Sequence, residues 1–296
     1  MEEHGQAALR RVLAQAGDPD LAGRLAALPG SELTTLLLEV LRRKAVRLTP
    51  AEVMRRYGTD RFVAPAAVGF AAQRRAEDVM LAALPPGFDV LTLAPVLPLG
   101  AHSAVATVDP RKVIATVRGT EVAADPTNGL ALEAAVRRRG VLRRQPRSAE
   151  RIRLATTQRV ARAQYESGPV SFAHFQLLGA VTAGRDTGSH AFERDSAVEH
   201  LRFAVAGLLR LGARRVRVEL TCLDDRMAPV SAAVAEALAA AAVAEAGGAE
   251  AGGAEAGGAE AGGAVEVADA PQRQSGRGYY TGLCFKVYAA FGGPEL

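Results

Sequence analysis

Apolar residues recur with a helical period through the first part of the chain and often with a two-residue period beyond it. Residues 6–16 and 20–28 read as short amphipathic helices parted by Gly17-Asp18-Pro19. Leu33, Leu36, Leu37, Val40 and Leu41 share one face of a helix over 33–43, with Gly30-Ser31-Glu32 as its start. Thr49-Pro50-Ala51-Glu52 spells another start: a Thr cap, proline at the first helical position, and Glu placed to close a capping box. Residues 1–57 therefore read as helical; a loop with Asp60-Arg61-Phe62 follows, then a helix over 66–84 that Pro85-Pro86-Gly87 ends. Beyond it, 90–93, 105–108 and 113–117 read as strands and 128–139 as a helix. Residues 152–163 and 170–183 predict two long strands joined by a polar turn near Glu166-Ser167-Gly168-Pro169. A helix over 196–211, a strand over 216–220, a helix over 229–244 and strands over 264–268 and 283–288 complete the order. Helices first and turn-linked strand pairs later predict an α+β fold with a mainly antiparallel sheet flanked by helices. Regular β-α-β alternation and a Gly-x-Gly-x-x-Gly turn are both missing, which argues against a Rossmann domain.

Composition changes this picture little. The chain is 49% hydrophobic but only 5% aromatic, so Ala, Val and Leu must fill its core. A net charge of +4 does not call for nucleic acid. The clusters Arg137-Arg138-Arg139 and Arg214-Arg215 read as solvated helix ends or strand edges. Cys222 and Cys284 sit in apolar runs without metal-ligand spacing, as free thiols in a reducing cytoplasm would. Met1-Glu2-Glu3-His4 lacks the apolar stretch of a signal peptide. No apolar run reaches the roughly 18 residues of a membrane span, so neither export nor a membrane partner is expected. Four copies of Ala-Glu-Ala-Gly-Gly over 244–263 read as a flexible low-complexity insert.

Three segments carry candidate chemistry. In Asp125-Pro126-Thr127, Asp125 or Thr127 can cap the following helix, or hold a ligand ammonium. On the paired strands, alternation points Arg162 to one face and Arg159 to the other, while His174 and Gln176 share a face; such groups can bind a phosphate or carboxylate. Near the C-terminus, Ser275-Gly276-Arg277-Gly278-Tyr279-Tyr280-Thr281-Gly282 brackets two adjacent tyrosines with glycines ahead of an alternating strand, where backbone and phenol groups can converge on a small polar ligand.

Taken in order, these segments resemble the class II aminoacyl-tRNA synthetase catalytic core. They are nearest to histidyl-tRNA synthetase and its paralogue, the regulatory subunit of ATP phosphoribosyltransferase. The first family motif is similar to Pro85-Pro86-Gly87-Phe88 through Gly100. The amino-group loop is similar to Asp125-Pro126-Thr127, the second motif to 158–164 with 172–184, and the tyrosine motif to Gly278-Tyr279-Tyr280-Thr281-Gly282. The resemblance covers about 65–292. The helical N-terminal unit at 1–64 lies outside it; the resemblance implies a synthetase-like core at 65–296 and, because the family's first motif forms a two-fold interface, a homodimer.

Departures from the family pattern shape the functional expectation. The second motif's Arg-x-Glu is matched by Arg159-Val160-Ala161, so its acid is missing. Ser275 stands where the tyrosine motif carries Arg, with Arg277 two residues before Tyr279. No room is expected for the ATP-contacting third motif, and no anticodon-binding domain. The resemblance therefore implies a non-canonical protein that binds an amino acid or nucleotide-like small ligand, regulates a possible partner enzyme and does not engage tRNA. Asp125 and Thr127 would hold an ammonium, Tyr279 and Tyr280 would line a pocket, and Arg159, Arg162, His174, Gln176 and Arg277 would face polar or anionic groups. The alternative is an enzyme that activates an amino acid or related acid with ATP and Mg.

Overall fold

The computed structural model describes residues 2–163, 172–248 and 264–292. Gln164, the turn at 166–169 and most of the Ala-Glu-Ala-Gly-Gly tract lie outside the described residues. The chain opens with four helices, α1 (Glu2–Ala16), α2 (Leu21–Ala26), α3 (Gly30–Ala45) and α4 (Pro50–Tyr57). The capping box expected at α4 forms: Thr49 Oγ1 accepts from Glu52 N, and Glu52 accepts from Thr49 N at 2.8 Å. The start expected at Gly30-Ser31-Glu32 does not cap α3; Pro29 flanks the helix and Ser31 lies inside it, where its carbonyl accepts from Thr35 Oγ1.

Three short segments depart from the expected strands; of 90–93 only Val90 falls in a strand. Residues 105–108 fall at the end of helix α6 (Ala101–Ala106), not in a strand. A distant carboxylate, Glu121, accepts from Gly100 N and His102 N and so satisfies the start of that helix. Residues 113–117 supply only an isolated bridge, Ala115 to Glu121. A turn through Gly119, at φ +65°, places the strand later, as β3 (Thr120–Val122), antiparallel to β2 (Val96–Pro98). The helix expected over 66–84 forms as α5 (Phe70–Ala82), and strand β1 is Asp89–Val90.

The remaining elements follow the sequence pattern, the two long strands shorter than the expected 152–163 and 170–183 and most others longer. They are α7 (Pro126–Arg144), β4 (Ile152–Ala161), β5 (His174–Ala183), α8 (Ala191–Arg210), β6 (Ala213–Cys222), α9 (Ala228–Gly248), β7 (Ala264–Asp269) and β8 (Leu283–Phe291). Thus α9 continues into the start of the Ala-Glu-Ala-Gly-Gly tract, whose Ala and Glu residues are good helix formers. Two three-stranded sheets result, ordered β1-β4-β5 and β7-β6-β8; β4–β5 and β6–β8 are antiparallel.

One face of β4 and β5 packs on α7 through Leu130, Ala134 and Leu154, and Gly179 of β5 lies against Pro126. The opposite face meets α5 and α8. Thr157 Oγ1 reaches Glu77 at 3.4 Å, Arg153 pairs with Glu199 at 2.9 Å, and Thr182 Oγ1 meets His200 Nε2 at 2.8 Å. Helix α8 continues beneath the second sheet, where Leu201 and Val205 join Val216, Val218, Leu220 and Val234 in the larger core. As expected, Ala, Val and Leu dominate both cores.

Candidate small-ligand site

Alternation along β4 sends Arg159 toward α5 and Arg162 toward α7, which divides the candidate residues between two faces. On the α5 face, β4–β5 pairing sets Arg159 opposite Gln176 and next to His174. Arg159 Nε donates to His174 Nδ1 at 3.1 Å, so the other ring nitrogen, Nε2, donates to Ala64 O at 2.7 Å. Arg159 also reaches Gln73 Oε1 at 3.4 Å, and Gln73 in turn donates to Glu77 at 2.9 Å. These groups line a cavity of about 400 Å³ whose apolar walls include Val68, Met80, Phe172 and Leu178. That volume lies in the usual range for small-ligand pockets, and the lining has their usual character, apolar walls with a few convergent polar groups. Arg159 is exposed, so its guanidinium can turn toward an anion without breaking a buried pair.

Asp125, Thr127 and Arg162 meet on the other face. Asp125 caps α7 by accepting from Thr127 N at 2.9 Å and Thr127 Oγ1 at 2.7 Å. Arg162 donates to Ala124 O at 2.9 Å, approaches Asp125 at 3.4 Å and lies over the Phe175 ring. The tyrosines form an edge-to-face pair with centroids 4.7 Å apart, and Arg273 lies over Tyr280. Burial, aided by neighbouring Tyr279, pushes the Tyr280 phenol above its ordinary pKa. Gly276 adopts φ +83°, and an added Cβ would stand 2.7 Å from the Tyr280 ring, so only glycine lets the loop lie on that ring. Arg277 folds back onto the carbonyls of Pro271 and Arg273 instead of reaching a pocket.

A buried pair that sequence reading does not single out supports this second face. His102 and Glu121 are buried, with His102 Nδ1 2.5 Å from Glu121 Oε1. Ala124 N donates to His102 Nε2 at 2.9 Å, which fixes the tautomer and anchors the backbone just before Asp125. Burial works against the Glu121 charge, but N–H groups of His102 and Gly100, with the His102 ring, outweigh it and hold the carboxyl below its ordinary pKa. Asp186, His190 and Glu193 bring ligand atoms within 4.8 Å of one another, but Asp186 already accepts from His190 N and Phe192 N as a loop cap.

No protein-family model matches the chain, and no curated protein matches it. It is similar to two solved structures of the class II synthetase-like fold. One is an ATP phosphoribosyltransferase regulatory subunit/histidyl-tRNA synthetase from Bacillus halodurans, at 19% identity and a TM-score of 0.41 over 54% of this chain and 40% of that one. The other is PylSc, a pyrrolysyl-tRNA synthetase from Desulfitobacterium hafniense, at 17% identity and a TM-score of 0.38 over 57% of this chain and 54% of that one. The chain thus spans about half or less of the length of each. Likeness at this level concerns the fold, and function has to be argued from the residues.

Proposed function

We propose that this protein binds a small amino-acid-like or nucleotide-like ligand through its anionic group, and acts as a cytoplasmic regulatory protein, not as a tRNA-charging enzyme. The cavity between α5 and β4–β5 carries the reading: Arg159, His174 and Gln176 converge there beside Gln73 and Glu77, and the remaining walls are apolar. Arg supplies a charge that is never lost and a planar fork suited to carboxylate or phosphate. The apolar walls would take the ligand body. Two observations speak against charging. Ala161 replaces the acid that the family resemblance implies, and such an electrostatic group is worth about 3–4 kcal/mol in a transition state. Arg159 and Asp125 also lie on opposite faces of the strand pair, so they cannot grip the two ends of one amino acid. A homodimer and a partner enzyme belong to the same proposal.

Titration calorimetry with the proteinogenic amino acids and with nucleoside mono- and triphosphates tests the reading. At least one should bind, and Arg159→Ala should weaken it tenfold or more, about 1.4 kcal/mol. If none binds, the ligand-binding reading fails. The Asp125 and Tyr280 face favours a second reading, ATP- and Mg-dependent activation of an amino acid or related acid. Amino-acid-dependent pyrophosphate exchange would establish it and overturn the regulatory one.

A further inference from the structure

The Arg159 cavity holds a carboxylate as well as a guanidinium. Gln73, Ala76, Glu77 and Met80 recur along α5 at helical spacing, so one face of that helix lines the cavity. The Glu77 side chain is 10% exposed, and a carboxylate so withdrawn from water needs close partners. Its Oε1 accepts from Gln73 Nε2 at 2.9 Å. Among the described residues its Oε2 has long approaches, from Thr157 Oγ1 at 3.4 Å and Arg74 Nη1 at 3.5 Å. Arg74 is half-exposed, and its Nη2 goes to Asp78 at 3.1 Å. Two oxygens able to accept about four hydrogen bonds thus receive one of good length.

Gln73 stands between the two charged groups. Its amide oxygen accepts from Arg159 Nη1 at 3.4 Å, while its amide nitrogen donates to Glu77. One carbon joins those two amide atoms, so guanidinium and carboxylate face each other across a single small group. A ligand with an acid for Arg159 and an amine for Glu77 must therefore carry the two close together. Charge-assisted bonds at both ends are stronger than the neutral amide's, and the Gln73 chain is long enough to turn aside. We infer that the cavity takes a zwitterion, an α-amino acid with an apolar side chain, whose ammonium sits at Glu77 and whose side chain lies against Val68, Met80, Phe172 and Leu178. A nucleoside phosphate brings no cationic nitrogen at neutral pH and leaves Glu77 unmatched. The inference rests on the Arg159 cavity being the ligand site, and it sets the ammonium on α5, across the strand pair from Asp125.

The test is calorimetric titration of the full chain with matched pairs: valine, leucine, methionine and phenylalanine, each beside the same acid without its amine, such as 4-methylpentanoate for leucine. Adenosine monophosphate is run alongside. At least one amino acid should bind, and its amine-free partner should bind about tenfold more weakly or worse. Glu77→Gln should erase that preference while leaving the amine-free acid's affinity unchanged; Arg159→Ala should weaken both. The matched pairs on the unaltered chain carry the test even if Glu77→Gln fails to fold. Equal affinity within every pair, or binding of the nucleotide and of no amino acid, overturns the inference and leaves the anion-binding reading standing. A preference that survives in folded Glu77→Gln overturns it as well. Binding by none of these anions overturns both.

Discussion

At the scale of single residues, the pair His102–Glu121 sets the geometry of the Asp125 face. Glu121 accepts from two backbone N–H groups and from the His102 ring, and His102 passes the constraint to Ala124. Removing one partner of a buried pair leaves unmet polar groups behind, so Glu121→Ala should cost about 3 kcal/mol. A lower urea midpoint at neutral pH would report it; a change under about 0.5 kcal/mol would mean the site relaxes freely. Glu121→Gln gives the electrostatic share. The folded carboxyl lies below its ordinary pKa, so its stabilisation is present above the unfolded value, about 4.3, and fades as pH falls through the folded one. The gap in stability between wild type and Glu121→Gln should therefore narrow from pH 7 toward pH 3, and a constant gap would contradict the assignment. None of this was legible in sequence: the partners are 19 residues apart on short elements without periodicity. The caps at Thr49 and Asp125 were legible because each partner lies within three residues.

Long elements were readable for the same reason of locality. The strand pair β4–β5 and helices α7, α8 and α9 carry their period over many residues, and each was expected in its place. The short stretches 105–108 and 113–117 were misread, because in a few residues an apolar run looks the same in helix, turn and strand. The division of the candidate residues between two faces followed from alternation once strand bounds were set, but the covering helices came only with the fold. Helix α7 lies close on β5 because Gly179 has no side chain: an added Cβ would stand 2.9 Å from Pro126 Cγ and 3.1 Å from Pro126 Cβ. A proline ring in the first turn of a capped helix cannot swing aside, so Gly179→Ala should destabilise by about 1–3 kcal/mol. Gly129→Ala in α7 is the control. Its new Cβ would meet Leu93 Cδ1 at 3.0 Å and Leu97 Cδ2 at 3.4 Å, ends of side chains that can rotate, and helix propensity favours alanine by up to about 1 kcal/mol. Urea unfolding should show Gly129→Ala near neutral and Gly179→Ala clearly weaker; equal losses would refute the close approach as the cause.

At the scale of the whole molecule, the order of burial divides the chain. Among the described residues every buried hydrophobic side chain lies at or beyond Leu97. Helices α2, α3 and α4 bury none, and the apolar stripe expected on α3 leaves Leu36, Val40 and Leu41 more than 40% exposed. Among the described residues, ties from the first 64 residues to the core include Thr34 Oγ1 to Val117 O at 3.2 Å, Arg61 to Ala163 O at 3.0 Å, and Ala64 O to the His174 ring at 2.7 Å. Segments with little buried apolar surface open at low free energy, whereas core strands open only with global unfolding. Native-state hydrogen exchange should therefore show α1–α4 amides opening within about 2 kcal/mol, well below the amides of β4, β5 and β6. Equal protection would mean that 1–64 is not a unit of its own. The tie at Ala64 makes the boundary consequential, because its carbonyl holds the ring proton of His174 on Nε2 and leaves Nδ1 to accept from Arg159. A chain beginning at residue 58 keeps that carbonyl and should bind ligand at the Arg159 cavity as the full chain does. One beginning at residue 66 frees the ring to change tautomer and should bind more weakly while keeping its core strands protected from exchange. Equal affinity for the two shortened chains would show that the N-terminal segment plays no part in shaping the cavity.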